Sequence, residues 1–178
     1  MQSQDLEVFE KLVEWLQQGK SPYLCTIVKA MGSSPRPVGS MLGCCGEQSI
    51  GTLSGGCVED DLLEKLRTNK IDASVPQLME YGVSAEENER LGLPCGGRLN
   101  ILVQQLSPGG ADWIIDGTTA LRARQSVART TDLKTGVTTI RITEDHVPLS
   151  LTGESLTQGL GPKMQMLLVG AGQLAQVL

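Results

Sequence analysis

No stretch of the chain approaches the roughly 18 consecutive apolar residues of a membrane-spanning helix, which excludes a spanning segment from the sequence given. The opening Met1–Asp5 has neither a basic n-region nor an apolar h-region, so a secretory signal is not expected and the compartment implied is the cytoplasm. Basic residues do not dominate either. Fifteen Lys and Arg against twenty Asp and Glu give a formal net charge of -5, without the counterion-releasing surface that broad nucleic-acid binding needs. Histidine is reduced to His146, so a Ser-His-Asp or Cys-His hydrolase would have to use a residue set among Glu144, Asp145 and Pro148 in loop-like sequence. No Cys-x-x-Cys pair occurs, and the usual structural zinc spacings cannot be written; a zinc site would require Cys44, Cys45, Cys57 and Cys95 to converge in space.

What is present suits a folded domain. The chain has 178 residues, 40% hydrophobic and 20% charged, which is the globular balance and long enough to bury a core without staples. Its 21 glycines exceed the usual ~7% and point to turns and close backbone approaches. Five cysteines, an odd number in a chain for which no secretory signal is expected, are expected as reduced thiols.

The periodicities predict an α/β fold, a mixed sheet with flanking helices. Leu6, Phe9, Leu12, Val13 and Leu16 lie at helical spacing, stopped by Gly19 and Pro22. Strands are expected over Tyr23–Met31, Ser40–Cys45 and Ser49–Leu53, the last two joined as a hairpin through Gly46-Glu47-Gln48. A helix over Cys57–Leu66 carries acidic residues in its first turn, at the positive end of its dipole. Strands follow at Val75–Val83 and Leu99–Leu106. Ser107-Pro-Gly-Gly110 then opens a second section with a helix near Asp112–Gln125 and strands at Ser126–Asp132 and Val137–Thr143. Arg122, Arg124, Arg129, Lys134 and Arg141 in that section read as a solvated face or as a phosphate-facing patch.

Residues 163–169 read as an apolar strand, followed at once by Gly170-Ala-Gly172-Gln-Leu-Ala175, a pattern that matches the opening of a dinucleotide-binding fold. With Leu178 only just into the next helix, the expectation is a truncated Rossmann-like segment. Three sections result: 1–106, a connecting α/β section at 107–162, and 163–178. The strand at 166–169 lacks its Rossmann neighbours and should pair with its own chain's sheet or with a second copy, forming a homodimer.

Two glycine-rich stations stand where strands end, Gly32-Ser-Ser-Pro-Arg-Pro-Val-Gly-Ser-Met41 and Gly51-Thr-Leu-Ser-Gly-Gly-Cys-Val-Glu59. Glycines there either make tight turns only, or let backbone N–H groups join the Ser33 and Ser34 hydroxyls and the Arg36 guanidinium around an anion such as phosphate. Cys57, at a helix start, is placed as a thiolate, a soft metal ligand or a sulfur nucleophile; Glu59, Asp60 and Asp61 oppose that charge, and a buried small hydrophobe is the other reading. Cys95, before Gly96 and Gly97, is a second loop thiol. Cys25, Cys44 and Cys45 read as core.

The succession Gly32-Ser-Ser-Pro-Arg36, Gly39-Ser-Met41, Gly51, Gly55-Gly-Cys-Val-Glu59 and Cys95-Gly-Gly97 resembles the N-terminal domain of the XdhC/CoxI family, the xanthine dehydrogenase accessory factors. The likeness covers roughly residues 10–106. It implies a cytoplasmic chaperone that binds molybdenum cofactor, protects it during sulfuration and delivers it to a xanthine dehydrogenase-type molybdoenzyme, with a cysteine desulfurase as a further partner. The implied cofactor-binding residues are Gly32, Ser33, Ser34, Arg36, Gly39, Gly55, Gly56, Cys57, Glu59, Cys95, Gly96, Gly97, Gly170 and Gly172. Molybdopterin offers a phosphate to the glycine and serine station, a pterin edge to a carboxylate such as Glu59, and a soft metal centre to Cys57. In that family a Rossmann-like domain follows, which the Gly170–Gly172 turn would begin.

Two other classes compete. An NAD(P)-dependent oxidoreductase rests on Gly170 and Gly172 and would need the missing Rossmann portion. A docking module would use the glycines structurally.

Overall fold

The computed structural model describes residues 4–32, 36–68, 70–91 and 97–162, with Cys57 described by its backbone alone. Helix α1 (Gln4–Gln17) buries Leu6, Val8, Phe9, Leu12 and Trp15 on one stripe. Gly19, at φ 74°, closes its end, and the amides of Gly19 and Lys20 return to the carbonyls of Leu16 and Trp15. The expected face is right but shifted, because Trp15 turns inward and its Nε1 donates to Gln48 Oε1 at 3.0 Å.

The first sheet contains β1 (Tyr23–Met31), β2 (Met41–Cys45), β3 (Gln48–Gly51), β4 (Gln77–Tyr81) and β5 (Arg98–Gln105) in the order β3-β2-β1-β5-β4. All its ladders are antiparallel. Two expected strands are shorter than their apolar content suggests. Pro76 has no N–H for a ladder and Gly82 leaves the sheet at φ 85°, which trims Val75–Val83 to β4. Gly51, at φ 85°, ends β3, so Leu53 drops into the core rather than extending the strand.

Helix α2 (Cys57–Arg67) covers one face of this sheet, packing Val58, Leu62 and Leu66 against Cys25, Ile27, Leu42, Cys44, Ile101 and Val103. Each fully buried aliphatic side chain there contributes about 1.5–3 kcal/mol of transfer free energy. Cys25 and Cys44 are buried, as expected of core; Cys45, at the end of β2, is half-buried. The short α3 (Ala85–Arg90) was not expected. Its signal was legible as a capping box: Ser84 Oγ accepts from the Glu87 amide, and Glu87 Oε2 accepts from the amides of Gly82 and Val83.

After α4 (Asp112–Arg122), a second antiparallel sheet is built from β6 (Ser126–Asp132), β7 (Thr138–Thr143), β8 (Ser150–Leu151) and β9 (Ser155–Leu160), in the order β7-β6-β9-β8. Strand β9 escaped the sequence reading because its inward positions are Leu156, Gln158 and Leu160, and the polar Gln158 interrupts the apolar alternation. Helices α1 and α4 share one core with β6 and β9, centred on Phe9, Leu12, Ile114, Val127 and Leu160, with Phe9 edge-on to Trp113 at 5.8 Å. Val28 and Leu102 of the first sheet meet Leu156 of the second.

The layer between the sheets is unusually polar: Thr26, Gln104, Arg129, Thr131 and Gln158 are all buried. This corrects the reading of the basic section. Arg129 is 1% exposed, neither a solvated face nor a phosphate-facing patch. Arg122 pairs with Glu10 at 2.8 Å and Lys134 with Glu154 at 3.5 Å, on the surface as expected. The described residues include no helix long and apolar enough to cross a membrane. The strand and glycine turn expected at 163–175 lie outside the described residues, as does the strand-pairing homodimer argument built on them.

Candidate functional site at one end of the first sheet

Register places the glycine stations. Strand β1 ends at Met31, opposite Arg98 at the start of β5; β4 ends at Tyr81, opposite Leu99. Strand β2 begins at Met41, opposite Thr26, and β3 ends at Gly51, opposite Leu42. The connections 32–40, 52–56 and 82–97 therefore all leave the same end of the sheet. An antiparallel order of these strands permits nothing else, since neighbouring strands alternate direction.

Within the first connection, Gly32 is exposed and Gly39 half-buried, both at positive φ (76° and 93°). The Gly39 amide donates to Ile27 O at 2.8 Å and its carbonyl accepts from Gln158 Nε2 at 2.8 Å. Arg36 and Gly39 line a cavity of about 300 Å³ together with Asp5, Val8, Ser40 and Pro162. That volume is at the lower end of the ~300–1,000 Å³ of small-molecule sites. Ser33 and Ser34 lie outside the described residues.

The second connection is organised by Glu59, from the first turn of α2. Its Oε1 accepts from Thr52 Oγ1, from the Leu53 amide and, at 3.1 Å, from the Ser54 amide. Burial pushes this carboxyl's pKa up, but the bonds from Thr52, Leu53, Ser54 and Gly55 outweigh it, leaving the group below the usual range. Glu59 thus folds the loop that precedes its own helix. Gly55 and Gly56 are exposed, with no atom within 4 Å of where a Cβ would stand. Beside them Ser54 Oγ is buried and has no hydrogen-bond partner among the described residues. Cys57 is the first residue of α2, preceded by Gly56 at the cap.

In the third connection Gly97 is buried, and Gly82 packs so tightly on it that a Cβ at Gly82 would fall 2.1 Å from Gly97 O. Cys95 and Gly96 lie outside the described residues, as do Gly170 and Gly172. The described residues hold no group of three or more His, Cys, Asp or Glu able to bind a metal ion. His146 is exposed, on a separate cavity of about 270 Å³ with Ser126, Glu144 and Asp145.

Sequence reasoning missed Gln158 and misplaced Arg129, and both reach this end of the sheet from the second section. Arg129 Nε donates to Gln158 Oε1 at 3.0 Å and its Nη2 donates to Thr26 Oγ1 at 2.7 Å. Burial pushes the guanidinium down to about 10, against a raising contribution from Asp5, and it stays charged at neutral pH. Nothing in local sequence distinguishes this Arg from its exposed neighbours.

The family model for XdhC and CoxI matches residues 15–82. A crystal structure from Bacillus halodurans described as a xanthine dehydrogenase has a similar fold, with 22% sequence identity and a TM-score of 0.64, over 92% of this chain and 54% of that one. This chain spans about half the length of that protein. No curated protein sequence matches it. The segment matched by the XdhC and CoxI family model, residues 15–82, holds the Gly32–Gly39 and Ser54–Cys57 loops.

Proposed function

We propose that this chain belongs to a maturation factor for a xanthine dehydrogenase-type molybdoenzyme, and that the glycine-loop end of its first sheet holds molybdenum cofactor. The observation that carries this reading is the convergence, within one family-matched segment, of the Gly32–Gly39 and Gly55–Gly56 loops at one sheet end. The donor set fits a phosphate-bearing ligand: Arg36 lines the cavity, Ser54 Oγ lacks a partner among the described residues, and Gly55 and Gly56 leave the backbone approachable.

Arg36 and the Ser33 and Ser34 hydroxyls would hold the phosphate, and Cys57 would face the metal. Glu59 fixes the loop through Oε1, which accepts from Thr52, Leu53 and Ser54, and its other carboxylate oxygen would serve the pterin edge. The cofactor, when bound, supplies a molybdenum centre whose terminal sulfido ligand has to be installed and protected. A cysteine desulfurase is the proposed sulfur source, and the xanthine dehydrogenase-type enzyme the recipient.

The test is retention of molybdopterin. The chain is mixed with cofactor released from a purified molybdoenzyme, desalted, and assayed for pterin fluorescence and molybdenum. Near-stoichiometric retention that falls in Arg36→Ala supports the reading. No retention by the wild-type chain overturns it, and tight NAD(P)H binding instead would favour the oxidoreductase.

A further inference from the structure

The buried pair Arg129 and Gln158 has no place in the family-matched segment, yet it ends on the candidate site. Arg129 and Gln158 face each other across the β6–β9 ladder. A guanidinium has donors and no acceptor, so the Gln158 end that meets Arg129 Nε must be Oε1. That choice turns Nε2 the other way, onto the carbonyl of Gly39, 119 residues away in sequence. The second anchor of Arg129, Thr26 Oγ1, lies on β1 next to Ile27, whose carbonyl receives the Gly39 amide. Gly39 is therefore gripped on both sides: its N–H by β1 and its C=O by β9. The grip is close, since a Cβ on Gly39 would stand 3.3 Å from Gln158 Nε2. Strand β9 then runs on to Gly161 and Pro162, which line the same 300 Å³ cavity as Arg36 and Gly39.

We infer that Gln158, oriented by Arg129, is a positioning residue that sets the Gly39 turn, and through it the Arg36 wall of the cavity, for ligand binding. The second section of the chain is then part of the site. The ligand side of this inference rests on the cofactor reading above; the ordering of the turn does not.

Gln158→Glu separates positioning from folding. An ionised carboxylate still accepts from Arg129, so the buried charge keeps its partner, but it cannot donate to Gly39 O and repels it. Amide hydrogen exchange and thermal unfolding are measured on the full chain, followed by titration with molybdopterin released from a purified molybdoenzyme. The expected result is exchange roughly tenfold faster at Gly39 and Ser40, unchanged exchange at Val127, an unfolding midpoint close to wild type, and binding weakened roughly fivefold or more. Gln158→Leu, which also strands Arg129, should loosen the same turn and in addition lower the midpoint. Wild-type exchange at Gly39 in Gln158→Glu overturns the inference, as does a loosened turn with unchanged cofactor affinity. If the wild-type chain binds no cofactor, the functional proposal fails, and the exchange data alone decide whether Gln158 orders the turn.

Discussion

Gly51 lies against the carbonyl oxygen of Met41, so closely that a methyl group on Gly51 would fall 2.3 Å from that oxygen and 2.9 Å from Val8 Cγ2. This contact is where β3 hands over to the Thr52–Gly56 loop, and neither the backbone oxygen nor α1 can retreat. Gly55, four residues on, shares the positive φ but has open space around it.

Gly51→Ala should therefore cost more than about 3 kcal/mol, combining overpacking with a strained φ, whereas Gly55→Ala should cost only the ~1–2 kcal/mol of the left-handed backbone. Urea unfolding of the two variants distinguishes them. A Gly51→Ala protein as stable as Gly55→Ala would contradict the close approach.

The Glu59 carboxyl has a folded pKa below its ordinary value of 4.5, so its contribution to stability is complete above that value and is lost as pH falls through the lower, folded pKa. Glu59→Gln keeps an acceptor but not the charge, and should cost about 1–2 kcal/mol at pH 7. The difference between the two proteins should shrink steadily below pH 4.5 in chemical denaturation series. An unchanging difference down to the acid transition would remove Glu59 from the loop's stabilisation.

Hydrogen bonding to Cys44 and burial push the Cys25 thiol well above its ordinary value, so it presents little thiolate to a reagent. Cys57 should be alkylated faster than Cys25 by roughly tenfold or more, as read by peptide mass mapping. Cys57→Ala should also weaken cofactor retention more than Cys25→Ala. Equal protection of both thiols would return Cys57 to the role of a core residue.

Ser84→Ala removes the cap of α3 and should cost about 1 kcal/mol. The loss should be local: faster amide exchange at Glu87 and Asn88, with β1 and β5 unaffected. Exchange unchanged at Glu87 would mean that its amide does not depend on the 3.1 Å bond to Ser84 Oγ.

Much of the architecture follows from local rules. The heptad-like spacing of α1, the β-branched run of β1, the Gly46–Glu47 hairpin and the breaker at 107–110 are all readable because each is set by neighbours within a few residues. The candidate loops were legible for the same reason: glycines clustered after strands mark places where backbone is approachable, and the antiparallel hairpins bring them to one end. The basic section was not. Arg129 and Arg141 look alike in sequence, one buried between two sheets and the other exposed on an edge strand, and only the stacking of the second sheet on the first separates them. Gln158 is hidden by the same cause, since its value lies in having an Arg on one side and a glycine carbonyl on the other, from partners 29 and 119 residues away. Local propensity sets what each segment forms; which polar groups are taken out of water, and so must find one another, is decided only when the two sheets close.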